Sequence, residues 1–558
     1  MNRARFVFGA CILAVAVGAA ALRLPRLAER PMHGDEANQA YKAGLKLFEE
    51  GVYLYDTGDH HGPSLYYLTQ PILALSGART FAETTESEYR LLPVLFGIGL
   101  VLLLWPLGAG LGRAATVVAA VLTALSPAMV FYSRYYIQET LLVFFTLATI
   151  LAVWRYTRTG RPAWLLLAGG CVGLLHATKE TWVLHAAAMA GASSLAWLWR
   201  RWREGPAAPA SPRVHVKVGH VAAAALLAIA VVFVLYSSPT FHASAGERSS
   251  ACLANPRGPI DSVLAYYSYF FRAGGAGMHD HPWYWYVGML VWSRDGQWPG
   301  WARVWDLVSH GRVLAGLNWS EGLIVGLAAI GFVASLRRKT PPDAEAPLLR
   351  FFAFYTLLLV AIYSAIPYKT PWCVLTFLDG MIVLAGVGVV AFARGLMASG
   401  MPSKANAFIF TLIVFLVVQL GFQAYRTSYT YAADRRNPYV YAHTSTDCIN
   451  MVKRVEALAA VSPKGRGLLI RVVTDDYWPL PWYLRTFPNV GWGDAPDPPD
   501  ADILILAPET QDWADAHLHG KYVKLGAEGL RPEVFVCMYV EESLWNAFVK
   551  EKGGRAAP

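Results

Sequence analysis

Residues 63–78, Pro63-Ser64-Leu65-Tyr66-Tyr67-Leu68-Thr69-Gln70-Pro71-Ile72-Leu73-Ala74-Leu75-Ser76-Gly77-Ala78, decide how the rest of the chain is threaded. The stretch is apolar, but it is shorter than the ~20 residues that a helix needs to cross a bilayer, and Pro63, Gln70 and Pro71 interrupt it. Counted as a span, it inverts every later segment and carries the arginine-rich turns to the outer side. Read as a helix lying along the outer surface, with Tyr66 and Tyr67 at headgroup level, it leaves one consistent topology. Asp35–Glu50 reads as a second such helix, because Ala37, Tyr41, Leu45 and Phe48 recur at helical spacing.

Around these two helices lie about eleven apolar spans, near 6–22, 90–111, 114–131, 140–154, 163–178, 182–199, 219–238, 319–336, 350–366, 373–393 and 406–424. Basic residues set their direction. Arg113, then Arg155, Arg158 and Arg161, then Arg200, Arg201, Arg203, Arg213 and Lys217, then Arg337, Arg338, Lys339 and Arg350, and finally Arg394 and Lys404 fall on alternate turns, while the opposite short turns hold few. The positive-inside rule therefore puts the N-terminus in the cytoplasm and the C-terminus outside. The first apolar run, after Arg3 and Arg5, has signal-peptide character, but its length reads as an uncleaved span. The expected location is the cytoplasmic (plasma) membrane.

The chain has 558 residues, 55% of them hydrophobic, and a formal charge of +9. Much of the positive excess sits in short turns between spans, so it is explained by topology and leaves no call for nucleic acid. The six cysteines form no C-x-x-C pair, which argues against a cysteine-rich zinc site; a Cys448–Cys537 bond outside the membrane stays open. No G-x-x-x-x-G-K-[ST] loop or Rossmann fingerprint is present, which argues against a nucleotide-driven pump. Composition changes after the last span. Residues 1–436 are expected to form the membrane domain and 437–558 a soluble extracytoplasmic α/β domain, with an amphipathic helix over Ile449–Ala460 and strands over Leu468–Thr474, Ile503–Ala507 and Val534–Tyr539.

On this topology six clusters of charged and aromatic residues share the outer side: His33-Gly34-Asp35-Glu36; Asp59-His60-His61-Gly62-Pro63; Ser133 to Glu139; His176 to Trp182; His279-Asp280-His281-Pro282-Trp283; and Pro367-Tyr368-Lys369-Thr370-Pro371-Trp372. Ionisable residues converging at span ends mark a functional site. Lys179 and Lys369 suit a phosphate held at the bilayer surface, or they snorkel; Arg134, beside Tyr135 and Tyr136, carries the same two readings. Asp35-Glu36 opens a helix, where carboxylates also complement the dipole. His60, His61, His279 and His281 are interfacial hydrogen-bonding histidines, or they join Asp35 or Glu139 around a divalent metal. The aromatic outer loop 239–318 suits a membrane interface and sugar stacking equally.

The opening run His33-Gly34-Asp35-Glu36-Ala37, the segment His61-Gly62-Pro63-Ser64-Leu65-Tyr66-Tyr67, and Tyr89-Arg90-Leu91-Leu92-Pro93 entering a span resemble the GT-C glycosyltransferases, and within them the protein O-mannosyltransferase and aminoarabinose-transferase group. The Ser133-Arg134 to Glu139 stretch sits where that group has its second outer acidic motif. Lys179-Glu180-Thr181-Trp182 and Asp475-Asp476-Tyr477-Trp478-Pro479 are similar to a branch labelled flippase-activity-associated. The chain departs from the aminoarabinose transferases at His61-Gly62-Pro63, where they have a lysine before the proline.

The resemblance implies a GT-C-like polytopic helical membrane protein with outer juxtamembrane helices, and an inverting transfer of sugar from a polyprenyl-phosphate-linked donor to a protein, lipid or glycan acceptor. In it Asp35 is the general base and Glu36 and Glu139 orient that base or hold a metal with His279 or His281. His60, His61, Arg134, Lys179, Glu180, Lys369 and Trp372 bind substrate, the basic side chains receiving the departing lipid phosphate. The competing function is a non-catalytic membrane protein that helps to flip or present a lipid-linked glycan. The C-terminal domain, which carries none of the six clusters, is expected to position the acceptor.

Overall fold

The computed structural model describes residues 3–59, 61–205, 216–238, 255–273, 279–298, 316–337, 343–493 and 500–551, with a few single positions beside them. The chain divides into two compact units, residues 1–27, 51–69 and 90–441, and residues 28–50, 70–89 and 442–558. The second unit is therefore larger than 437–558: it takes in helix Gly34–Ala40 with its continuation and the end of helix Ser64–Ser76.

The first unit is helical, and each of the expected spans is a helix except 114–131, which is two. Seven helices among the described residues are long and apolar enough to cross a membrane; a bent pair, Arg113–Leu125 with Pro127–Ser133, makes an eighth if it is one span. The expected count of about eleven includes Pro162–His176 and Gly322–Ser335, which are apolar but only 15 and 14 residues long, roughly 21–23 Å of rise. It also includes Trp182–Glu204, whose last turns are made polar by Arg200, Arg201 and Arg203.

Glycine lets these helices touch. A Cβ at Gly331 would intrude on the Leu384 carbonyl, and one at Gly388 on the Leu327 carbonyl, so Gly322–Ser335 and Leu375–Ala398 meet backbone to backbone. Gly169 does the same against Ala224, joining Pro162–His176 to Val218–Tyr236. The bend of 58° between Arg113–Leu125 and Pro127–Ser133 follows from Pro127 at the first helical position and is stabilised by buried Glu321. Glu321 accepts the Ala128 N–H at 2.9 Å, the Ser126 hydroxyl at 2.5 Å and the Tyr439 hydroxyl at 2.7 Å.

In the second unit, strands Val490–Gly493, Ile470–Val473, Ile503–Leu506, Val534–Glu541 and Tyr522–Arg531 lie side by side in that order, the first three parallel and the last two antiparallel to their neighbours. One face buries Ile470, Val472, Ile503, Ile505 and Met538 against Met451, Val455 and Leu458 of helix Thr446–Val461. The other buries Val473, Leu504, Leu506 and Tyr539 against Ala514 and Leu518 of Gln511–Leu518. Covered on both faces, Ile503–Leu506 reads as an unbroken apolar run. Cys448 belongs to the first of these layers and Cys537 to the second, and both are free.

The two stretches read as helices between the first spans are helical. Gly34–Ala40 continues into a widened helix, Tyr41–Glu49, and residues 64–76 are helical with Pro71 inside.

Candidate functional site

The first cluster is built within the second unit. His33 caps helix Gly34–Ala40: its Nδ1 accepts the Asp35 N–H at 2.9 Å, while Glu36 Oε2 accepts the His33 N–H at 3.2 Å, closing a capping box. The other oxygen of Glu36 receives Arg30 Nη2 at 2.9 Å, and the Glu36 side chain is fully buried. Asp35 differs. Its side chain is 52% exposed and lies 4.0 Å from His33 Nδ1. The C-terminal residues of the same unit hold the loop: Thr444 donates to the Met32 carbonyl at 2.5 Å, Tyr483 accepts the Met32 N–H at 2.8 Å, and His443 meets the His33 ring edge-on at 5.0 Å. Trp478 packs edge-on against Tyr41 at 5.9 Å.

In the first unit the turn between Pro162–His176 and Trp182–Glu204 gathers three clusters. Lys179 and Glu139 form an ion pair in which the residues are only 4% and 2% exposed. Burial alone would pull the Lys179 ammonium down; the Glu139 carboxylate outweighs it and holds it well above its ordinary value. Glu180 pairs with His61 Nδ1 at 3.1 Å. The segment bearing His61 is laced to the turn: Ser64 N–H donates to the Ala177 carbonyl at 2.8 Å, the Ser64 and Thr178 hydroxyls are 2.7 Å apart, and a Cβ on Gly62 would intrude on Ala177 O.

The last two clusters also meet. Asp280 and Tyr368 form an antiparallel bridge, Lys369 N–H donates to His279 O at 2.9 Å and His281 N–H donates to Pro367 O at 3.1 Å. Buried Lys369 directs its ammonium to the Ile366 carbonyl. Trp372 lies between Tyr135, at 6.3 Å, and Tyr441, at 5.8 Å.

Arg134 is directed elsewhere. Its guanidinium donates to the carbonyls of Arg23, Pro25 and Arg26 and to the Tyr429 hydroxyl, and stacks over the Tyr429 ring at 4.4 Å. It thus helps to close the C-terminal end of helix Arg3–Arg23, where Tyr429 also donates to the Leu22 carbonyl at 2.9 Å. Beside it, Arg23 donates to Ser133 Oγ and to the Thr123 and Ala124 carbonyls.

The metal-ligating candidates of the first unit are engaged with other partners. Among the described residues no group of three or more His, Cys, Asp or Glu side chains converges that could hold one. Glu139 is paired with the Lys179 ammonium, His279 Nδ1 with the Tyr441 hydroxyl, and His281 lies stacked on Trp285 at 4.3 Å. His60 lies outside the described residues.

Sequence reading had missed Arg30 and His443, which support the Asp35 loop, and Ser262, Tyr236 and Tyr266, which support the turn through His176. Only Arg30 carried a local signal, a basic residue a few positions ahead of an acidic pair.

The family described as dolichyl-phosphate-mannose-protein mannosyltransferase matches residues 66–244, about a third of the chain. No curated protein matches it in sequence. The structure of ArnT from Cupriavidus metallidurans in the apo state aligns with a TM-score of 0.56 at 12% identity, over 97% of this chain and 98% of that one. The same protein bound to undecaprenyl phosphate aligns with a TM-score of 0.50 at 13% identity, over the same shares of the two chains. The oligosaccharyltransferase AglB from Archaeoglobus fulgidus, in complex with an inhibitory peptide and a dolichol-phosphate, aligns with a TM-score of 0.51 at 11% identity, over 98% of this chain and 77% of that one. With apolar spans, a helical unit and a sheet-bearing unit, and aligned over nearly its whole length with ArnT, this integral membrane protein has the fold of the GT-C glycosyltransferases.

Proposed function

We propose that the protein transfers a sugar from a polyprenyl-phosphate-linked donor to an acceptor hydroxyl on the outer face of the membrane, with the N-terminus cytoplasmic. The carrying observation is the division of labour in Asp35-Glu36. Glu36 is buried and occupied by Arg30 and the His33 N–H, whereas Asp35 projects from the same turn half-exposed. A carboxylate on a rigid turn, open to a second molecule, suits a general base. Asp35 takes the acceptor proton, the acceptor atom bonds to the anomeric carbon, and the bond from that carbon to the phosphate oxygen breaks. A single displacement of this kind inverts the anomeric centre, and the lipid phosphate leaves with the electron pair.

Lys179, oriented by Glu139, and Lys369 neutralise that phosphate. His61 and Glu180 shape the donor pocket, with Trp372 as an aromatic wall. Arg134 positions the end of the first helix. The structures of ArnT and AglB with lipid phosphates support the donor class.

The test is transfer in nanodiscs from a polyprenyl-phosphate sugar to an acceptor extract. Asp35→Asn should abolish transfer with folding and donor binding intact, whereas Glu36→Gln should lower thermal stability by about 1–3 kcal/mol, because it removes the charge that Arg30 Nη2 meets at 2.9 Å. Wild-type turnover by Asp35→Asn would remove the proposed base, and headgroup translocation without turnover would favour glycan flipping.

A further inference from the structure

Helix Gly258–Ala273, in the aromatic outer loop, has two unlike faces. Ile260, Val263, Leu264, Tyr267, Phe270 and Phe271 fall at the spacing of one helical stripe and are 57–75% exposed. Six large apolar side chains on one stripe form a patch of a kind that soluble surfaces avoid.

The opposite face is anchored. Ser262 donates its hydroxyl to the Pro259 carbonyl at 2.7 Å, so it accepts from His176 Nε2 at 3.0 Å. That fixes the His176 tautomer, and Nδ1 accepts the Tyr266 hydroxyl at 3.0 Å. The Tyr266 oxygen in turn accepts the Trp182 indole N–H at 2.5 Å. Tyr236 closes the set by donating to the His176 carbonyl at 3.1 Å.

These contacts fix the height of the helix. His176 is the last residue of one apolar helix and Trp182 the first of the next, so the helix is held at the level where those helices leave the hydrocarbon. Val218–Tyr236, which ends beside His176, exposes Leu226, Ile229, Phe233 and Val234 along its length. The exposed stripe is thus continuous in level with a lipid-facing surface.

We infer that Gly258–Ala273 is an interfacial helix seated on the lipid surface at that end of the bundle, its apolar stripe among the acyl chains and its Ser262–Tyr266 face bracing the His176–Trp182 turn that carries Lys179 and Glu180. The occupant of the stripe is phospholipid, as befits a strongly amphipathic segment at a span end. This decides between the two readings of the aromatic loop for this helix, and it stands whether or not the site transfers sugar.

The test uses the full-length protein in phosphatidylcholine vesicles, with an environment-sensitive fluorescent amino acid at Phe270 or, separately, at Tyr267. Doxyl-labelled phosphatidylcholine should quench both strongly and aqueous iodide weakly. Quenching by iodide equal to or stronger than that by doxyl lipid overturns the inference. Independently, Val263→Asp with Phe270→Asp should raise amide exchange across 262–270 at least tenfold in vesicles; unchanged protection overturns it too. Neither readout depends on catalysis, so loss of sugar transfer alone bears only on the proposed function.

Discussion

Lys179 and Glu139 close a buried ion pair between the first turn of helix Glu139–Thr159 and the turn that links Pro162–His176 to Trp182–Glu204. A charge at this depth is tolerated because its partner is in contact with it, and removing one member strands the other. Lys179→Met should therefore destabilise the membrane unit by about 3–5 kcal/mol, whereas Lys179→Met with Glu139→Leu should recover most of that loss. Donor binding should be lost in both. Thermal unfolding with lipid-phosphate binding separates the two effects: a double variant that binds donor normally would show that Lys179 is only structural. The sign of the pH dependence follows from the raised Lys179 ammonium. Its contribution to stability is complete below the ordinary lysine value and fades only as pH rises through the higher folded value, so no loss from this pair is expected at neutral pH.

The helices were legible because apolar runs bounded by arginines have one physical reading in a chain of this kind. The count was less so, since Gly322–Ser335 is short and the sequence does not show that Gly331 and Gly388 bring it against Leu375–Ala398. Ile470–Val473 and Ile503–Leu506 announce themselves as β-branched and apolar runs; Val490–Gly493 is too rich in glycine to do so, and Tyr522–Arg531 is broken by Gly526 and Gly529. In the site, residue types were readable but not their partners. Arg134 looks equally suited to a phosphate and to a helix end until the Arg23, Pro25 and Arg26 carbonyls are seen within its reach. The pairing of Glu139 with Lys179, 40 residues away, is a property of packed helices, which periodicity does not encode.

The C-terminal residues hold the Asp35 turn, so the proposed base depends on them. Thr444, His443, Tyr483 and Trp478 grip Met32, His33 and Tyr41, on either side of Asp35. Truncation after residue 436 should therefore disorder 28–50 and abolish slow donor hydrolysis to water along with transfer. Amide exchange across 30–45 in the truncated protein should rise at least tenfold, about 1.4 kcal/mol of lost protection. Retained hydrolysis with unchanged protection would show that the Asp35 turn is self-supporting.

Gly62 offers a test of the His61–Glu180 contact that leaves both partners in place. A methyl group there would press on the Ala177 carbonyl and on the Tyr236 hydroxyl, forcing the Pro63–Ser64 segment away from the 176–182 turn. The Ser64–Ala177 and Ser64–Thr178 hydrogen bonds would lengthen with it. Gly62→Ala should cost about 1–3 kcal/mol through overpacking, and it should weaken donor binding by about tenfold with a smaller effect on turnover, since Asp35 belongs to the other unit. Gly170→Ala is the matched control: its added methyl meets only Leu227 at 3.8 Å, ordinary contact, and should leave stability and donor affinity within error. A Gly62→Ala protein with wild-type donor affinity would mean that the His61–Glu180 pair lies outside the donor pocket.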